Sequence, residues 1–156
     1  MNAEVETPAA TLSEETRLTK QLIELLKQEQ AHLIKADIEG LMAITEEKAR
    51  AANEMNELAR RRYRNLAAIG YDPAEGGMRT WLDDAAPDAI ANAWDSLLTL
   101  AQSAKSLNST NGLLIGKHMS RNQQALNILR GNQGNSFYGP NGQATSSVRS
   151  RGLVIG

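Results

Sequence analysis

From Ile90 to Leu129 one set of positions recurs in steps of four and three without a slip. It reads Ile90, Trp94, Leu97, Ala101, Ala104, Asn108, Asn111, Ile115, His118, Asn122, Ala125 and Leu129. That period belongs to an α-helix, and a helix of such length needs a covering partner, either neighbouring helices in a bundle or another chain. Four of the positions, Asn108, Asn111, His118 and Asn122, are polar. Two accounts are open for them: buried polar side chains that fix register, or a half of the seam that shorter helices leave uncovered. The second is the expectation. The stretch SLNSTNG at 106–112 is a poor helix former and is a candidate kink.

The rest of the chain reads as scaffold for that helix. Residues 1–12 carry no apolar period and are expected to be frayed. Ser13, followed by Glu14 and Glu15, is a suitable helix start, with carboxylates where the dipole favours them. Leu18, Leu22, Leu25, Leu26 and Leu33 then share one face, placing a first helix over 13–36. Asp37 is a candidate cap for a second helix with the stripe Leu41, Ile44, Lys48, Ala51, Met55, Leu58, Arg62 and Leu66. Gly70 and Pro73 end it after roughly 45 Å at ~1.5 Å per residue. Between 70 and 87 glycines and prolines forbid a continuous helix, although MRTWLDD suits one or two turns that set Met78, Trp81 and Leu82 on the bundle end. The final helix starts at Pro87 and stops at Gly131. Beyond it Gly, Asn, Ser and Gln dominate and no acidic residue occurs, the composition of an unpacked tail. The predicted organisation is all-α: long antiparallel helices forming a bundle domain over 13–130, with a flexible, disordered C-terminal tail over 131–156.

Composition narrows function mostly by exclusion. Lys and Arg number 17 against 18 Asp and Glu, without the basic excess of a general nucleic-acid binder. The one basic run, Arg60, Arg61, Arg62 and Arg64, is accounted for by the helix dipole and by Glu54 and Glu57 behind it. No cysteine occurs, which removes thiol nucleophiles and Cys-type zinc sites, and His32 and His118 lack metal-ligand spacing. Phosphate-loop and dinucleotide-loop glycine patterns are absent, and so is a nucleophile elbow. The pairs Glu14–Glu15, Glu46–Glu47 and Asp83–Asp84 read as caps or solvated faces. No apolar run is long enough for a membrane span, and the acidic N-terminus is no secretory signal. The expectation is a soluble cytoplasmic protein that is not an enzyme, with no catalytic residues, no metal and no cofactor.

What remains is surplus amphipathicity. Leu113, Leu114, Ile115, Met119, Leu126, Ile128 and Leu129 are apolar around more than one face of the last helix. Either another protein's helix covers the excess, or the first helix or the tail does.

The segments NGLLIG (111–116), RNQQAL (121–126), the apolar Ile128–Leu129 and YGPNGQ (138–143) closely resemble the C-terminal signature of the FlgN-type flagellar export chaperones. A shorter match is ITEEK at 44–48. The resemblance is strong over 111–156 and weak over 13–106. It implies a cytoplasmic chaperone of the flagellar type III secretion system. Such a chaperone binds the C-terminal helical regions of hook-associated junction proteins, prevents premature assembly, and delivers them to the export gate. On this reading Leu113, Leu114, Met119, Leu126 and Leu129 bind the substrate protein. Tyr138 is implied as the contact with the cytoplasmic domain of the export gate. Beyond that motif the tail carries only Arg149 and Arg151. The rival is a self-associating structural coiled coil, and a homodimer is left open; nucleic acid and membrane insertion are not expected.

Overall fold

The computed structural model describes residues 5–137, and side-chain surroundings as far as residue 131. It contains four helices: α1 Leu12–Lys35, α2 Ile38–Ala68, α3 Glu75–Asp84 and α4 Asp88–Phe137, with no strand among the described residues. Contacts divide the chain into two units, Met1–Leu114 and Ile115–Gly156, and α4 contributes to both.

The first unit is built on the α1–α2 hairpin. The helices are antiparallel: Glu15 pairs with Arg62 and Glu29 with Lys48. The turn between them is unusually tight. Ala36 adopts a left-handed conformation (φ 53°, ψ 40°) while Asp37 N–H bonds the His32 carbonyl at 2.9 Å. Asp37 then caps α2 as the sequence suggests, accepting from Gly40 N at 3.1 Å. At the far end Gly70 supplies φ 87°, which lets Tyr71 N–H reach the Leu66 carbonyl at 2.9 Å and Gly70 N–H that of Ala67 at 3.1 Å. This two-bond closure satisfies the last carbonyls of α2 and favours glycine at the left-handed position.

α3 is longer than the turn or two expected of MRTWLDD, because it starts at Glu75 and takes in both glycines. Gly77 sits against the Asp72 backbone carbonyl so closely that a Cβ would overlap it. That contact lets α3 fold back and drive Met78, Trp81 and Leu82 into the core with Leu12, Leu66, Trp94 and Leu97. A smaller cluster, Leu25, Ile44 and Ala51, holds the hairpin nearer its turn. Within this unit α4 runs in the same direction as α1, with Trp94 in the cluster of Leu12 and Asn111 bonded to Leu26. It is antiparallel to α2 only, because the short α3 carries the chain back before α4 begins.

Three local expectations need correction. The α1 start lies one residue before Ser13: Thr11 occupies the cap position without a side-chain cap, and its hydroxyl donates to buried Glu15 at 2.9 Å. The segment before it is packed where described, rather than frayed. Pro8 and Thr11 are buried, Asn65 donates to the Thr7 carbonyl at 3.1 Å, and Arg61 Nε donates to Glu6 at 2.8 Å. Arg61 and Asn65 of α2 hold residues 5–11, with Ala9 packed against the core. Finally, α4 continues through 106–112 and past Gly131 to Phe137. Gly131 acts as no helix stop, since Gly70 is the only described glycine with positive φ, and a helical glycine costs only about 1 kcal/mol. The tail beyond Phe137 lies outside the described residues.

The most connected buried charge among the described residues is Arg62, 4% exposed. Its Nε donates to Glu15 at 3.1 Å and its Nη2 to Glu75 at 3.3 Å, and the guanidinium lies 4.6 Å over Trp94 and 5.0 Å over Tyr63. Burial alone would lower its pKa, but the carboxylates of Glu15 and Glu75 outweigh that and raise it. Arg62 thus ties α1, α2, α3 and α4 together through one side chain. Of the basic run, Arg60 pairs with Glu57 as the neighbour account expects, whereas Arg61 and Arg62 serve tertiary structure.

Candidate functional site

α4 is positioned by its N-terminal half. Trp94 and Leu97 enter the main core, Ala104 is buried one level further, and Asn111 is the last buried seam residue. Asn111 Nδ2 donates to the Leu26 carbonyl at 2.8 Å and to Glu29 Oε1 at 2.9 Å. Glu29 Oε2 accepts from Lys48 Nζ at 2.8 Å. For Asn111 the register-fixing account therefore holds. Its amide reads one level of α1, and a one-residue slip of α4 would leave Glu29 without that donor. Its own Oδ1 is buried without a hydrogen-bond partner. Asn108 is exposed, as the uncovered account expects.

From Ile115 onward the seam is on the surface. Ile115, Asn122, Ala125 and Leu129 are exposed, and only His118 and Gln123 are partly buried. Met119 is 67% exposed, Leu126 46% and Leu129 60%. With Ile115 they follow a helical stripe about 80° wide at ~100° per residue. Ile128, also exposed, stands on the opposite side. Water is the least favourable medium for such an apolar stripe.

The proposed substrate-binding set is thus divided. Met119, Leu126 and Leu129 share one face in the second unit. Leu113, strongly exposed, and Leu114, partly buried, belong to the first unit. Tyr138 and the YGPNGQ segment lie outside the described residues. Sequence reasoning missed a second exposed apolar pair in the first unit, Ile38 and Met42, one turn apart on α2. They sit off the stripe Leu41–Leu66, so only an inventory of apolar residues outside the stripe would have found them.

The face is lined by side chains suited to contact. Apolar side chains form it, amides and the exposed Arg121 and Arg130 lie around it, and Gln123 bonds Asn127 one turn along at 3.2 Å. Among the described residues no group of His, Asp and Glu could hold a metal ion, and no helix is long and apolar enough to cross a membrane. Fold and surface together define an all-α protein with an apolar face left open on its last helix.

Comparison with known proteins gives that class a family. The family model described as "FlgN protein" matches residues 1–146. The flagella synthesis protein FlgN of Yersinia enterocolitica is 30% identical over 142 residues, covering 90% of each chain. That of Salmonella typhimurium is 30% identical over 140 residues, 88% of this chain and 90% of the relative. That of Escherichia coli K12 is 29% identical over 143 residues, 90% and 92%. No solved structure matches the chain at a significant level. The chain belongs to the FlgN family.

Proposed function

We propose that this protein is a flagellar export chaperone of the cytoplasm, one that works by binding rather than catalysis. It covers the C-terminal helical regions of hook-associated junction proteins, keeps them from assembling early, and delivers them to the export gate. The observation that carries this reading is the exposed stripe Met119, Leu126 and Leu129 on α4 in a chain of the FlgN family. An amphipathic assembly helix buries its apolar face against such a stripe, which keeps that face from pairing with other subunits. Tyr138 is assigned to gate docking, apart from the substrate face. Nucleic acid and membrane insertion have no part in this reading.

Light-scattering chromatography of the protein, alone and mixed with a hook-associated junction protein, tests it. A discrete peak containing both is expected, and Leu126→Asp should weaken the complex about tenfold or more, as loss of a central apolar anchor does. Two unshifted peaks with self-association of this chain alone would favour a structural coiled coil instead. Tyr138→Ala should leave the complex intact and impair docking on the gate's cytoplasmic domain.

A further inference from the structure

Charge changes abruptly along this chain. Its last acidic residue is Asp95, whereas Lys105, Lys117, Arg121, Arg130, Arg149 and Arg151 all follow it. The net charge of −1 conceals an acidic first part and a purely cationic second part. In α1 and α2 cations are matched on their own helix, as in Arg17–Glu14, Lys27–Glu24 and Arg60–Glu57. Nothing in the unit Ile115–Gly156 can do the same, because it holds no acidic side chain.

Lys117, Arg121 and Arg130 are all exposed. At ~100° per residue Arg130 projects about 60° to one side of the stripe's centre and Arg121 about 120° to the other. Arg130 therefore lies at one edge of the apolar face beside the neutral Gln123 and Asn127, His118 lies at the other edge with Arg121 further round, and Asn122 falls within the face itself. We propose that the face formed by Ile115, Met119, Leu126 and Leu129 takes an acidic amphipathic helix of a partner protein, whose carboxylates flank its apolar stripe and meet Arg121 and Arg130. This rests on the proposed function and names the chemistry of the helix bound. A second copy of the segment fits poorly, since it would bring only cations to cations. An anionic membrane surface is disfavoured by a polar face on which Gln123, Gln124 and Asn127 dilute the cations and by the absence of Trp after Trp94.

The test uses the full chain and two synthetic helical peptides with the same apolar stripe, flanked by Glu in one and by Lys in the other. Fluorescence anisotropy at low salt should show the Glu peptide binding about tenfold tighter, the sum of a few screened surface pairs. The preference should collapse near 1 M NaCl, where the screening length is about 3 Å. The exposed double variant Arg121→Glu/Arg130→Glu, checked for unchanged helicity, should reverse it. Equal binding of both peptides would overturn the charge assignment while leaving the face a protein-binding surface. Binding of neither overturns it too, and a junction protein tested alongside shows whether the proposed function falls with it. Capture by phosphatidylserine vesicles in preference to the Glu peptide, or a self-complex that excludes the peptide, would equally refute it.

Discussion

The residues up to Leu114 and those from Ile115 onward treat the same helical period in opposite ways. In the first unit even formal charges are inside: Arg62, Glu15 and Glu29 are buried and each finds an ionic or hydrogen-bonding partner. In the second, Met119, Leu126 and Leu129 sit on the surface at seam-like spacing. Side-chain polarity therefore does not decide burial here. What decides is whether another segment meets the position, as α1 meets Asn111, and a charge is tolerated inside only where its partners are also fixed. One unit buries much of its seam in its core, and the other leaves its seam exposed.

The sharpest way to break that contrast is to unpair the interior. Arg62→Ala should cost about 3–5 kcal/mol, since it strands Glu15 in the core and removes the cation over Trp94. Denaturant unfolding would read this, with Leu129→Asp as the reference, which should stay within about 0.5 kcal/mol of the parent. Similar losses for both would show that the second unit also folds through its stripe. Next in size, Gly77→Ala should cost about 1–3 kcal/mol, because its Cβ must push the Asp72 carbonyl away. A neutral result would mean that the 70–75 loop shifts freely and that α3 is not held by this contact.

Ala36→Gly should act in the other direction. Relief of the left-handed alanine offsets the glycine's greater freedom when unfolded, for a gain of about 1 kcal/mol, visible as a raised melting temperature. No gain would place the strain elsewhere in the turn. The smallest effect concerns pH. Hydrogen bonding from Arg61 holds the Glu6 carboxyl below its ordinary 4.5, against a small opposing effect of burial and with help from Asn65. A carboxylate lowered on folding contributes stability above its unfolded pKa and loses it as pH falls through the folded value. Melting temperatures measured from pH 6 down to pH 3 should therefore drop slightly less in Glu6→Gln than in the parent. Parallel curves would show that the N-terminal tether does not depend on the charge of Glu6.

Much of this was legible from residues alone. Helical period placed α1, α2 and the start of α4, while Asp37 and Gly70 marked boundaries by cap chemistry that acts over a few residues. The stripe Met119–Leu126–Leu129 was legible for the same reason, since sharing a face is a property of one helix. The Arg62 network was not. Arg62 appeared both in the α2 seam and in the basic run, and its neighbours on the helix offered a sufficient local explanation. Its partners lie 47 and 13 residues away in the chain. The packed segment before Leu12 escaped notice similarly, being fastened by polar contacts with α2 rather than by a period of its own.

Sequence by itself determined that the chain is helical, where most helices begin, which residues share a face, and that cations alone follow Asp95. Those properties depend on near neighbours and on composition. Only the tertiary structure decided which seam positions are covered. Asn111 is inside because Leu26 and Glu29 meet it, and Ile115, four residues on, is exposed. Burial is a relation between distant segments, and no local pattern carries it.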